Sequence, residues 1–408
     1  MRALWSLLLL AALAAALALG ARVLQRPAPT ASRAASPAPQ GAPIAAPPEP
    51  AAAPGAAVPP ESPGSAGAPL SPEELARRAA LEGNQRGIEH LERGELEEAR
   101  RLFEECRELD PHESVFATNL AEVRARLAVR DHESGSALGL ASALEHLERA
   151  VELAPERADL ARLLARWKRS AEAEKDFWRK TTEHFELSFD GTREELMNGT
   201  AGLEDALESA YLEFGELFGF FPVEAGRPRI RVVLYRRADF DLVTGIGDWA
   251  GGVFDGTVRV PVEDLVREEL RLGRVLRHEL VHAYVDEAGG ARVPGWLNEG
   301  LAQWLEEPPL AGGGAHVREA RRRLAGHALF PLGRLQGSLA RWSDASEVEL
   351  AYAQSLALVE HIVRMYGERV PFRMVAGCGA GQSAEDAFRE ILGGLELAAV
   401  VEDLEQEL

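Results

Sequence analysis

The 408 residues are 46% apolar and 27% charged, ample for two folded units with tails and unlike one compact domain. A formal charge of -20 excludes the class of proteins that hold nucleic acid on a basic face. Lysine occurs only at Lys168, Lys175 and Lys180 while arginine is abundant, and with the alanine, glycine and proline load this points to a GC-rich bacterial genome.

Residues 1–20 carry Arg2 and then an apolar run from Ala3 to Leu19, the layout of a signal peptide or a membrane anchor. Ala18-Leu19-Gly20 offers small residues for cleavage, yet the run is close to the ~20 residues that span a bilayer, so both outcomes stay open. Either one exports the chain to the bacterial cell envelope. No cysteine follows the run, which argues against a lipoprotein anchor. Cys106 and Cys378 are far apart; an exported pair can in principle bridge, but the reading preferred is two small buried apolar residues.

Residues 21–70 are Pro, Ala, Gly and Ser with almost no large apolar side chain, as in Pro47-Pro48-Glu49-Pro50. Such a stretch cannot build a core and reads as a disordered linker, with a proline-rich docking ligand as the alternative.

Helical periodicity begins at Ser71-Pro72-Glu73-Glu74, where serine can cap, proline fits the first turn and acids suit the positive helix end. A unit of about 34 residues ending at Pro111 puts Gly87, Ala99, Phe103 and Cys106 at the packing positions of a tetratricopeptide repeat. Ala143, Leu147, Ala150 and Pro155 keep the same offsets, with an insertion around Asp131 to Ser136. Residues 156–178 read as a further long helix whose Leu160, Leu163, Leu164 and Trp167 cap the stack or meet the next domain. Residues 71–180 are thus expected to be all-α repeats, serving either as a groove for a protein partner or peptide or as a spacer.

Residues 181–408 are expected to form the second domain. The alternation in His184 to Gly191 predicts a strand, about Leu203 to Phe218 a helix, and Arg229 to Tyr235 and Val258 to Val262 two more strands. Then comes His278-Glu279-Leu280-Val281-His282. On a helix, residues four apart share a face, so both imidazoles can converge on one zinc ion with Glu279 beside them. A catalytic zinc takes three protein ligands and leaves a position to water. Sixteen residues, enough to finish the helix and bring a second one back, separate His282 from Glu299 in Pro294-Gly295-Trp296-Leu297-Asn298-Glu299-Gly300, the expected third ligand. Paired surface histidines are the bland alternative, disfavoured by the apolar Leu280, Val281, Ala283 and Tyr284 around them.

From about Phe185 onward the chain, through His278, Glu279, His282 and Trp296-Leu297-Asn298-Glu299-Gly300, resembles the gluzincin metallopeptidases, specifically peptidase MA-like domains of bacterial envelope proteins with tetratricopeptide repeats. The resemblance implies an α+β, zincin-like fold: a small mixed sheet, the zinc helix and a helical C-terminal part. It implies a zinc-dependent peptidase acting on a peptide or protein substrate, with one zinc ion and Glu279 as general base. By resemblance to the family's Tyr-x-x-Ser helix, Tyr352 is the oxyanion donor, although Tyr352, Leu356, Val359 and Val363 also fit a packed stripe. Gly251-Gly252-Val253-Phe254 is either the edge strand that the family pairs with substrate or a plain glycine bulge or hairpin. The Glu-containing motif with which one aminopeptidase branch grips a free N-terminus is missing, which argues against exopeptidase action. Where several gluzincins carry an Asp that orients a histidine, this chain has Gln303, so that support must come from elsewhere. Ala311 to Gly314 reads as a lip of the cleft or a loop, and His316, His327 and His361 as surface or packing residues. Two rival readings are an envelope scaffold with a weakly active or inactive peptidase-like domain, and a zinc hydrolase of a non-protein amide.

Overall fold

The computed structural model describes residues 71–133, 137–223, 227–244, 251–307, 314–339, 342 and 344–408. The apolar run of residues 1–20 and the linker of 21–70 lie outside the described residues, as do Trp249, Ala250 and most of the 311–314 stretch. Among the described residues no helix is long and apolar enough to cross a membrane. The chain divides into two compact units between Lys168 and Arg169.

The first unit is helical: α1 (Pro72–Glu92), α2 (Leu96–Leu109), α3 (Ser114–Glu133), α4 (Ala137–Leu153) and most of α5 (Ala158–Ala173). Ser71 starts α1 through a reciprocal capping box, its hydroxyl accepting from the Glu74 amide at 3.2 Å while the Glu74 carboxylate accepts from the Ser71 amide at 2.7 Å. Gly94 turns the chain back at φ 74°, a left-handed conformation that favours glycine. α1 and α2 close tightly because Gly87 leaves room for the Phe103 ring, which a Cβ there would meet at 2.6 Å. Across the α1 and α3 faces the buried Asn119 amide donates to the Asn84 carbonyl oxygen at 2.9 Å. Buried Glu122 takes Arg126 at 2.9 Å and Arg157 at 3.4 Å. Cys106 is free and buried, and so is Cys378 in the other unit.

The helix expected over 156–178 ends at Ala173, and Phe177 to Thr181 form a strand instead, because pairing with the next strand overrides the local helical pattern. Among its described residues the second unit holds five strands, β1 (Phe177–Thr181), β2 (Phe185–Asp190), β3 (Ile230–Tyr235), β4 (Val253–Phe254) and β5 (Val258–Pro261), in the order β1-β2-β3-β5-β4. β2, β3 and β5 run parallel, while β1 and β4 are antiparallel edges. Two-residue alternation splits the side chains. Phe185, Leu187, Phe189, Val232 and Leu234 join the main core, whereas Val233 and Tyr235 pack on Phe240 and Val253 on the other face. Among the helices, α6 (Glu194–Gly199) and α7 (Ala201–Phe218) follow β2, α8 (Arg237–Thr244) follows β3, and the long α9 (Leu265–Ala288) follows β5. Asp264 caps α9, accepting from the Arg267 amide at 3.1 Å. After it come α10 (Gly295–Leu305), α11 (Ala315–Leu324), α12 (Ala345–Tyr366), α13 (Arg369–Gly379), α14 (Ala384–Ile391) and α15 (Leu397–Glu407). Gly300 permits the α10–α12 crossing, since a Cβ there would stand 2.4 Å from the Ser355 carbonyl oxygen.

Candidate metal centre

α9 buries Leu272, Leu276, Leu280 and Val281 in the main core, and the same turns carry His278, Glu279 and His282. The Nε2 atoms of His278 and His282 face each other at 3.1 Å. Glu299, one turn into α10, brings its Oε2 to 3.8 Å from both. All three residues are buried. So the structure brings together the three residues that the sequence singled out as ligands.

The three fit a zinc ion by geometry and by charge. Ligand atoms about 2.1 Å from a tetrahedral zinc stand about 3.4 Å apart, between the separations found here. Both Glu299 oxygens are buried and meet no hydrogen-bond donor, an arrangement that costs free energy unless a cation offsets it. Burial drives Glu299 well above the usual carboxylate range, and the Glu279 charge adds to this; the Tyr352 hydroxyl pulls the other way without closing a hydrogen bond of full geometry. Burial pushes both imidazoles down to about 3, with His278 adding to the effect on His282. Neutral imidazole is the form a metal needs.

Each histidine is held from behind. His282 Nδ1 lies 2.9 Å from the Asn298 side-chain oxygen, and His278 Nδ1 lies 3.3 Å from Glu306 Oε2. Gln303 supports neither. Its amide donates to the Glu299 and Tyr352 carbonyl oxygens, both at 3.1 Å, and so ties α10 to α12. Burial raises Glu306 to about 7, with His316 and Arg274 pulling it down and Glu307 pushing it up.

Glu279 is buried against β4. Burial, and then the Asp255 charge, raise it to about 8, against a hydrogen bond from the Phe254 amide. Its Oε2 meets no partner. Gly252 is needed here, because a Cβ would lie 2.7 Å from Val275 Cγ1 and 3.0 Å from Glu279 Oε1. In the stretch at 251–254, β4 is the last strand of the sheet among the described residues and forms one arm of a hairpin with β5, as the hairpin reading expects. Tyr352 is fully buried on α12, and burial followed by the Glu299 and Glu279 charges raise its hydroxyl far above its ordinary range.

A second cluster joins His361 to Asp403 at 3.1 Å and to Glu407 at 3.4 Å. Arg321 and Arg364 both pair with Glu407 and supply the positive charge that a metal would bring. His361 is fully buried, in keeping with a packing residue.

Residues 238–406 match the model of the Peptidase MA superfamily, a span that contains all but the first residue of α8, together with β4, β5 and every residue of the centre. This supports an MA-like peptidase domain, in a superfamily that is generally zinc-dependent. No curated protein matches the chain.

Proposed function

We propose that the chain is a zinc-dependent metallopeptidase that hydrolyses peptide bonds in polypeptide substrates. The observation that carries the proposal is the convergence of the buried His278 and His282 Nε2 atoms with a buried Glu299 oxygen, beside a second buried carboxylate, Glu279, whose Oε2 meets no partner. His278, His282 and Glu299 would hold the ion. Zinc, when bound, supplies Lewis-acid polarisation of water and of the scissile carbonyl.

The rest is done by this chain. The Phe254 amide fixes the Glu279 carboxylate, which leaves Oε2 to accept the proton from water and return it to the leaving amine. Tyr352, held against Glu299 by the close α10–α12 crossing, is the donor proposed for the developing oxyanion. β4, at the end of the sheet, offers backbone groups to an extended substrate. The helical unit is proposed to bind or position a partner or substrate, and residues 1–70 to export and tether the chain at the envelope.

The test compares purified protein with Glu279→Gln. One equivalent of zinc is expected in both, with hydrolysis of an unfolded protein substrate falling by about 10²–10⁴-fold in the variant. Equal hydrolysis by the two would sink the mechanism. Zinc in the wild type with no hydrolysis of any peptide would favour the scaffold reading.

A further inference from the structure

We propose that Glu306 is a positioning residue that fixes the proton of His278 on Nδ1 and so turns the Nε2 lone pair toward His282 and Glu299. The zinc-affinity part of this inference rests on the function proposed above; the proton assignment does not.

α10 ends beside α9. Three consecutive residues there each grip α9. The Leu305 carbonyl oxygen accepts from Arg277 Nε at 2.9 Å, Glu306 Oε2 lies 3.3 Å from His278 Nδ1, and Glu307 pairs with Arg274 at 2.7 Å. Arg277 is in turn held by both oxygens of Glu213 on α7, at 2.8 and 2.9 Å. Glu307 is also within 3.0 Å of His316 on α11. Glu306 is therefore flanked by a held backbone carbonyl at Leu305 and a held side chain at Glu307, and its own side chain, in a residue 8% exposed, has little freedom to leave His278.

An imidazole has two tautomers, and its ring can turn about its bond to Cβ. With an acceptor oxygen behind Nδ1, the favoured arrangement places the proton there and leaves Nε2 as the bare nitrogen. Nε2 is the atom that faces His282 Nε2 at 3.1 Å and Glu299 Oε2 at 3.8 Å. His282 has the same support from the uncharged Asn298. The two histidines thus differ in the partner behind them, a carboxylate for one and an amide for the other. A carboxylate in this role makes the imidazole the stronger donor toward a cation.

The experiment uses metal-free full-length protein with ¹⁵N-labelled histidine at about pH 8.5, where Glu306 is an acceptor only, and reads the His278 tautomer by long-range ¹H–¹⁵N NMR. Wild type is expected to carry the proton on Nδ1. Glu306→Leu should lose this single tautomer while His282 keeps its own, and Glu306→Gln, which retains an acceptor oxygen, should preserve it. Competition with a chromogenic chelator should show zinc binding to Glu306→Leu weakened by about 10–100-fold. An unchanged His278 tautomer in Glu306→Leu overturns the inference. If Glu306→Leu does not fold, Glu306→Ala takes its place with the same expectation, and Nε2 protonation in the wild type overturns the inference without any variant. A wild type with Nδ1–H but no affinity for zinc would sink the proposed function and leave the positioning role standing.

Discussion

In the helical unit the buried Asn119 amide donates to Asn84 and Glu122 sits between Arg126 and Arg157, whereas in the sheet-bearing unit Glu279 and Glu299 keep buried oxygens that no donor meets. Among the described residues of the helical unit, no buried side-chain nitrogen or oxygen lacks a partner. Elsewhere in the sheet-bearing unit charge is paired too: buried Arg259 meets Asp255 at 3.3 Å and Glu174 at 2.9 Å. The difference separates two uses of buried polarity. A paired group serves the fold it sits in, while the Glu279 and Glu299 oxygens, the latter convergent with two histidines, impose a cost that a bound cation would offset.

Zinc removal should give the largest contrast. With the ion present at about a thousandfold over its Kd, chelation is expected to take about 4 kcal/mol from the region it stabilises. Hydrogen exchange should show this loss in α9 and α10 and none in α1 to α4; equal losses in both would mean that the centre is not where the ion binds. Smaller and opposite in sign are two substitutions in metal-free protein. Glu299→Leu removes an unpaired buried acid and should raise local stability by about 1–3 kcal/mol. Asn84→Ala leaves the Asn119 amide without its acceptor and should lower it by about 1–3 kcal/mol. Amide protection in α10 and in α3 reads the two signs, and a loss at both sites would break the distinction.

Smallest is the response to pH, again in metal-free protein. Folding raises Glu279 to about 8 and Glu306 to about 7, so their contribution is full below about 4.5 and is lost as pH rises through 7 to 8. In the helical unit the sign reverses. The hydrogen bond from Arg157 outweighs burial and lowers Asp159, whose contribution is present above its unfolded value and lost as pH falls through its folded one. Between pH 6.5 and 8, above the range in which the lowered His278 and His282 act in the opposite sense, exchange corrected for intrinsic rate should quicken in α9 and α10 and not around Asp159. The same slope in both places would refute this.

The centre was legible in the sequence as far as helical geometry reaches. His278 and His282 share a face whatever surrounds them, and Glu299 could be found because a short return brings a second helix alongside. What lay behind the histidines was not legible, because it depends on how α10 is rotated against α9. Attention fell on Gln303, one turn after Glu299, yet a step of seven residues returns closer to the same face than a step of four. That spacing was a usable signal for Glu306. β1 was missed for a different reason: Trp178 and its neighbours show little apolar alternation, and only the distant pairing with β2 makes them a strand. The α1 cap, by contrast, is local chemistry, and Ser71 and Glu74 do what their order implies.

β4 is two residues long, and among the described residues no strand pairs beyond it. An open sheet margin is a hazard, since any extended chain can add to it and the next chain to that one. A protein that handles extended polypeptide has to present such a margin all the same. At two residues it can align one visiting chain over a few backbone bonds but gives poor templating for growth. Under the proposed function, the brevity of β4 would let the molecule grasp unfolded chains without becoming the seed on which they aggregate.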